Sequence, residues 1–205
     1  MRVVVGSEST RDLRQSELRR HLQMMSRFLE GAKPGSSLTM ILRSAGSDPA
    51  KALVGVKGAL LASGVRVKLI LANLEPEDEL RQLFTAISEL TPDAGAGELI
   101  RWARNPRLLD AHEQVTYGEA MCWSGDAMRR DAERRNALTV FDEQASDTAR
   151  LGRLAFAALW TASSLVPERR LSGPLTARPS GAYERDQAPV IPLRPSLQGW
   201  PLVRH

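Results

Sequence analysis

The residues able to do chemistry are few, and most lie between positions 110 and 136. The three histidines are scattered, and the single cysteine is Cys122. Neither an internal disulfide nor a multi-cysteine zinc site can therefore be built, and no metal or cofactor is expected. The strongest local signal is basic. Arg129, Arg130, Arg134 and Arg135 follow the stretch WSGDAM, in which Ser124, Gly125 and Asp126 have the composition of a tight turn. Backbone N–H groups in such a turn can cradle an anion, and guanidinium groups grip phosphate oxygens in pairs. The same residues have a plainer reading, in which the turn needs no ligand and the arginines pair with Asp131 and Glu133 on a solvated face. His112 is either a reactive imidazole or an ordinary hydrogen-bonded strand histidine. Cys122, beside Trp123, reads as a small buried hydrophobe, and Trp123 and Trp160 read as core.

Composition sets the scale for these residues. The chain has 205 residues, 42% hydrophobic and 25% charged, enough apolar material for one domain with an appendage. Its net charge is +4 and its pI about 9.7, with only four lysines among 28 basic residues. An arginine-rich surface of this kind attracts anions, or simply keeps the protein solvated. No run approaches the ~18 apolar residues of a membrane span, and Val3, Val4 and Val5 lead straight into charged residues, unlike a signal peptide. A cytoplasmic protein without membrane contact is the expectation.

The elements that must position the site can be followed along the chain. Leu18, Leu22, Met25 and Leu29 recur at helical spacing and stop at Gly31. SLTMILR from Ser37 reads as a strand, Asp48-Pro49 opens a helix carrying Leu53, Val56, Leu60 and Leu61, and VRVKLILA follows Gly64 as a second strand. Strand, helix, strand implies a crossover between parallel neighbours. A helix from Pro76 buries Leu80, Leu83, Phe84 and Ile87, and ELIRWA is a further strand. Leu108 to Trp123 forms a hairpin around Tyr117-Gly118, NALTVFD from Asn136 is another strand, and Ser146 caps a last helix through Leu165. The sum is an α/β fold of about five strands, a mixed sheet flanked by helices on both faces, over residues 1–166. Residues 167–205 hold seven prolines without periodicity and read as an extended or disordered tail. Val190, Ile191, Leu193, Leu197 and Trp200 make that tail apolar enough to engage a protein partner.

Residues 36 to 165 resemble one catalytic half of the phospholipase D superfamily. ASGVRVKLILA is similar to the family's first strand, HEQVTYGEAMCWSGDAM to its hairpin and glycine-serine turn, RRNALTVFDE to the following strand, and AFAALW, with Phe156 and Trp160, to its closing helix. The resemblance implies a phosphodiester-cleaving ancestry in which a histidine attacks phosphorus, a lysine two residues on holds the phosphate, and an aspartate five further orients the histidine. His112 takes the histidine position, but Gln114 then stands for the lysine and Glu119 for the aspartate. Aligned instead on the turn, Asp110, His112 and Tyr117 are the counterparts. Asn136 matches the asparagine after the turn, whereas Leu138 replaces the glutamate expected two residues later. Loss of one such charge-stabilising donor costs roughly 3–4 kcal/mol in the transition state unless an arginine substitutes.

The expectation is a catalytically degenerate phospholipase D-like domain that binds nucleic acid, another phosphodiester or a protein. Gln114, Ser124, Gly125, Arg129, Arg130, Arg134, Arg135 and Asn136 would form its anion site. One alternative is a working metal-independent phosphodiesterase or nuclease in which His112 attacks and arginines replace the lysine. Another is a scaffold whose tail recruits a partner. The family's pairing of two half-sites implies a homodimer.

Overall fold

A computed structural model describes residues 7–129 and 140–172, with side chains from residue 15 onward. The elements in chain order are α1 (Ser7–Gly31), β1 (Ser37–Leu42), α2 (Asp48–Gly55), α3 (Lys57–Ser63), β2 (Arg66–Leu71), α4 (Glu77–Leu90), α5 (Ala96–Leu99) and β3 (Ile100–Trp102). A 3₁₀ turn (Pro106–Asp110) leads to β4 (His112–Tyr117), β5 (Met121–Ala127), β6 (Val140–Asp142), α6 (Ser146–Ala162), β7 (Ser164–Leu165) and α7 (Glu168–Ser172). Seven strands of the described residues form one sheet in the order β6-β5-β4-β1-β2-β3-β7. The fold is the α/β class expected, with helices on both faces of a mixed sheet. β1, β2 and β3 are parallel, and the remaining pairings are antiparallel.

The main core lies on the face covered by α1 to α4. Met25, Leu53, Leu60, Leu80 and Leu83 from those helices pack on Leu38, Met40, Leu42, Val67, Leu69 and Leu71. The deepest residues of α1 are His21, Met24, Met25 and Phe28. Leu18, Leu22 and Leu29 of the expected stripe lie at its margins. On the opposite face a smaller core joins Ile41 and Ile70 to Phe156, with Leu159 and Trp160 of α6 packed against it. This second cover explains the burial of β1 and β2, which alternates over their first residues and becomes continuous over their last three.

Several expectations are corrected. The helix opened by Asp48-Pro49 breaks at Val56, between Gly55 and Gly58, into α2 and α3. Gly55 is where α1 comes close, since a Cβ there would lie 3.3 Å from a methyl of Leu22. Among the described residues the strand total is seven rather than about five: ELIRWA is present as the short β3, and β7 adds a two-residue edge strand. The first arm of the expected hairpin starts at His112, not Leu108, because Pro106 sets a 3₁₀ turn closed by the Asn105 side chain accepting from the Arg107 N–H. Ser146 lies inside α6 and not at its cap: Ala145 caps the helix, after the Asp142 carboxylate has turned the chain by accepting from the Gln144 N–H. The ordered domain also runs past 166. Leu171 of α7 is buried in the main core, and Arg170 pairs with Glu75 and Glu77 at 2.5 and 2.8 Å.

Candidate functional site at the carboxyl edge of the sheet

The parallel strands end together at one edge, where β4 begins and β5 finishes. Carboxyl edges of α/β sheets are where ligands commonly bind, because the loops there carry few structural obligations. Here the edge is fixed by a buried ion pair that the sequence concealed. The Arg43 guanidinium lies 3.2 Å from the Glu113 carboxylate, which also accepts from the Arg43 N–H at 2.9 Å and the Ser47 hydroxyl at 3.2 Å. Arg43 donates in addition to the Ala127 carbonyl at 3.3 Å. Three segments, the ends of β1 and β5 and the start of β4, are thereby tied together. Glu113 is only 4% exposed. Its signal in the sequence is faint: a carboxylate one residue after His112 must face the side of the strand opposite to it.

His112 faces the other way and is exposed. Its Nδ1 lies 2.9 Å from the Gly125 carbonyl oxygen. A carbonyl can only accept, so Nδ1 carries a proton, and the neutral ring has its lone pair on Nε2. Gly125 can offer that carbonyl because β5 holds one extra residue opposite His112 to Gln114. A Cβ at this position would lie 2.7 Å from the Trp123 ring and 3.3 Å from the Glu113 side chain. Ser124, Gly125 and Asp126 are thus part of β5, with Ser124 opposite Gln114, and not the tight turn expected from their composition. The hairpin's turn lies earlier, at Gly118, whose φ of 60° is left-handed.

The other motif positions separate. Gln114 is half-buried beneath α6, its Nε2 2.5 Å from where a Cβ of Gly152 would stand. Glu119 is exposed in the hairpin turn at the far edge of the sheet. With ~3.3 Å of rise per residue, it stands roughly 20 Å from His112. Tyr117 is also at that far end, fully buried, and burial followed by the neighbouring Cys122 raises its phenol well above the ordinary value. Asp110 does lie at the His112 edge, where it pairs with Arg129 at 2.9 Å. The chain there is held by the Arg129 N–H on the Leu109 carbonyl and the Met128 N–H on the Ala111 carbonyl. The structure therefore brings together Asp110, His112, Gly125 and Arg129, and leaves Glu119 and Tyr117 apart from them. Arg104 and Arg107 are exposed on the same edge. Arg130, Arg134, Arg135 and Asn136 lie outside the described residues, as do Val190, Ile191, Leu193, Leu197 and Trp200. Cys122 is buried, and burial, then Asp142, raises its thiol, in keeping with a packing role. No helix of the described residues is long and apolar enough to cross a membrane.

No family model matches the chain, and no curated protein matches it. Solved structures do. One is TrmBL2, an archaeal chromatin protein described as showing a novel mode of DNA binding, at a TM-score of 0.46 and 15% identity over 73% of this chain. This chain spans about half of that protein, 52% of its length. Another is Nuc from Salmonella typhimurium, a phospholipase D family member, at a TM-score of 0.45 and 19% identity over 71% of this chain and 88% of that one.

Proposed function

We propose that this domain binds phosphodiester anions, nucleic acid first among them, at the carboxyl edge of its sheet, and that it does so without hydrolysing them. The observation that carries this reading is the division of the motif. His112 and Arg129 present to solvent on one edge, while Gln114 is neutral and turned under α6 and Glu119 lies at the opposite edge. Attack on phosphorus by an imidazole calls for a cation on the nonbridging oxygens and gains from a carboxylate on the ring. At this edge Nδ1 meets a backbone carbonyl instead. Phosphate binding asks for less: exposed guanidinium groups, which Arg104, Arg107 and Arg129 supply at this edge. The Asp110–Arg129 pair does not oppose this, because an exposed ion pair contributes at most about 1 kcal/mol and yields to a phosphate.

Fluorescence anisotropy with labelled single- and double-stranded DNA and RNA over a range of salt tests the proposal. The affinity is expected to fall with salt, and Arg129→Ala to reduce the slope of log K against log salt by about 0.7–0.9, one phosphate contact. Binding that ignores salt, or none at all, overturns it. A second reading is favoured by the tautomer at His112, since a protonated Nδ1 leaves Nε2 free to attack. Metal-free turnover of a phosphodiester, lost in His112→Ala, would replace binding by catalysis as the function of this edge.

A further inference from the structure

The second face of the sheet is covered unevenly. Over the carboxyl halves of β1 and β2, Ile41 and Ile70 meet Phe156. Over their amino halves the same face carries Ser37, Thr39, Arg66 and Lys68, and between these residues and the last two turns of α6 lies a cavity of about 450 Å³. The strand register sets Ser37 beside Arg66 and Thr39 beside Lys68, so each cation has a hydroxyl as its cross-strand neighbour. Phe156 and Trp160 form the opposite wall. Their rings are stacked with centroids 5.4 Å apart, and the Lys68 ammonium lies 5.2 Å from the Trp160 ring.

Three features mark this cavity as a site and not a packing gap. Its lining holds two cations and no carboxylate. Among the described residues neither Arg66 nor Lys68 has an acidic partner to compete with an anion. The Thr39 hydroxyl is buried and, among the described residues, has no hydrogen-bond partner, so it is free to pair with a ligand oxygen. Two cations two residues apart on one strand suit a doubly charged group, and a phosphate monoester carries close to two charges at neutral pH. The volume falls within the ~300–1,000 Å³ of small-molecule sites, and the aromatic wall gives an organic substituent something to bury against.

We infer that this cavity binds a small organic phosphate, with Arg66 and Lys68 holding the phosphate and its organic part lying against Phe156 and Trp160. The site stands independently of the carboxyl edge: Ser37 and Arg66 begin the strands that end beside His112, roughly 20 Å away at ~3.3 Å per residue. The phosphate can come from a free mononucleotide or from the 5′ end of a nucleic acid strand, and the probes separate the two.

Isothermal titration calorimetry on the full chain would use inorganic phosphate, adenosine monophosphate, and a DNA dodecamer with and without a 5′ phosphate. Adenosine monophosphate is expected to bind at least tenfold more tightly than inorganic phosphate. Arg66→Ala/Lys68→Ala should weaken it tenfold or more, and Arg66→Lys should retain most of the affinity. A gain from the 5′ phosphate on the dodecamer that disappears in the double variant would assign the site to strand ends. Both replaced side chains are exposed, so a thermal melt of the double variant should overlay the wild type. The inference is overturned if no phosphate probe binds the wild type at millimolar concentration, or if a well-folded double variant binds adenosine monophosphate undiminished.

Discussion

His21 offers the sharpest test of how this domain is held together, because it is a fully buried ionisable residue with no polar partner. It projects from α1 between Trp123, 4.6 Å away edge to face, and Phe141, 5.0 Å away. Among the described residues neither ring nitrogen has a hydrogen-bond partner. Burial, and secondarily the neighbouring Arg20, hold its pKa down at about 3 against 6.5 for an exposed histidine. The folded protein therefore binds fewer protons than the unfolded chain between these values, and stability is lost as pH falls from about 6.5 towards 3. At 1.36 kcal/mol per pH unit the loss from this residue is about 2 kcal/mol at pH 5, a large part of the ~5–15 kcal/mol that holds a domain folded. Urea unfolding at pH 7.5 and pH 5.0 reads it directly, with His21→Leu as the comparison. The wild type should lose about 2 kcal/mol more between the two conditions than the variant, because the contribution of the carboxylates is common to both. The variant should also be no less stable at pH 7.5, since it removes two unpartnered nitrogens from an apolar site. Equal losses to within about 0.5 kcal/mol, or a His21 imidazole resonance that titrates near pH 6.5, would refute the reasoning.

Three further outcomes follow from the packing. Glu113→Ala leaves the Arg43 guanidinium buried without its carboxylate and should cost about 3–5 kcal/mol in urea unfolding, most of it recovered when Arg43→Met is added. Gly152→Ala places a methyl 2.5 Å from the Gln114 amide and 2.8 Å from the Thr116 hydroxyl. It should destabilise the domain by about 1–3 kcal/mol in a thermal melt, less in combination with Gln114→Ala, because the amide is the flexible part of that clash. Truncation after Pro167 removes Leu171 from the core and should cost about 1.5–3 kcal/mol or more in urea unfolding.

What the sequence made legible was whatever depends on local periodicity. The two inner parallel strands, the helix after Pro76 and the apolar composition of α6 follow from spacing that survives folding unaltered. What escaped depends on partners distant in the chain. Arg43 and Glu113 are 70 residues apart and meet only through the pairing of β1 with β4. His21 stands among Leu18, Leu22 and Met25 in the helix, and nothing near it in the chain indicates that Trp123 and Phe141 enclose it. Ser124 and Gly125 have turn chemistry, yet the structure uses the glycine for a bulge that only a residue lacking Cβ can make beside Trp123. The alternation of Arg66 and Lys68 with Val67 and Leu69 resembles the solvent face of any half-buried strand. Their significance appears only once α6 is seen to leave that part of the face uncovered.

The alternation along β4 explains why the carboxyl edge has the character of a binding surface. Glu113 is the carboxylate next to His112 in the chain, yet successive strand residues point to opposite faces, and Arg43 draws Glu113 firmly to the inner one. Asp110 lies on the outer side, with Arg129 as its partner. The imidazole therefore takes its orientation from the bulge carbonyl of Gly125. Converting this edge to phosphodiester chemistry would take at least two changes at once: a cation projecting outward from position 114 and a carboxylate within reach of Nδ1. Gln114→Lys alone should not suffice. The room above position 114 is taken by Gly152 of α6, so the longer side chain must displace the helix or turn out past it. Metal-free turnover appearing in that single variant would mean that the carbonyl at Gly125 does the work assigned here to a carboxylate, and would make His112 a nucleophile lacking only its cation.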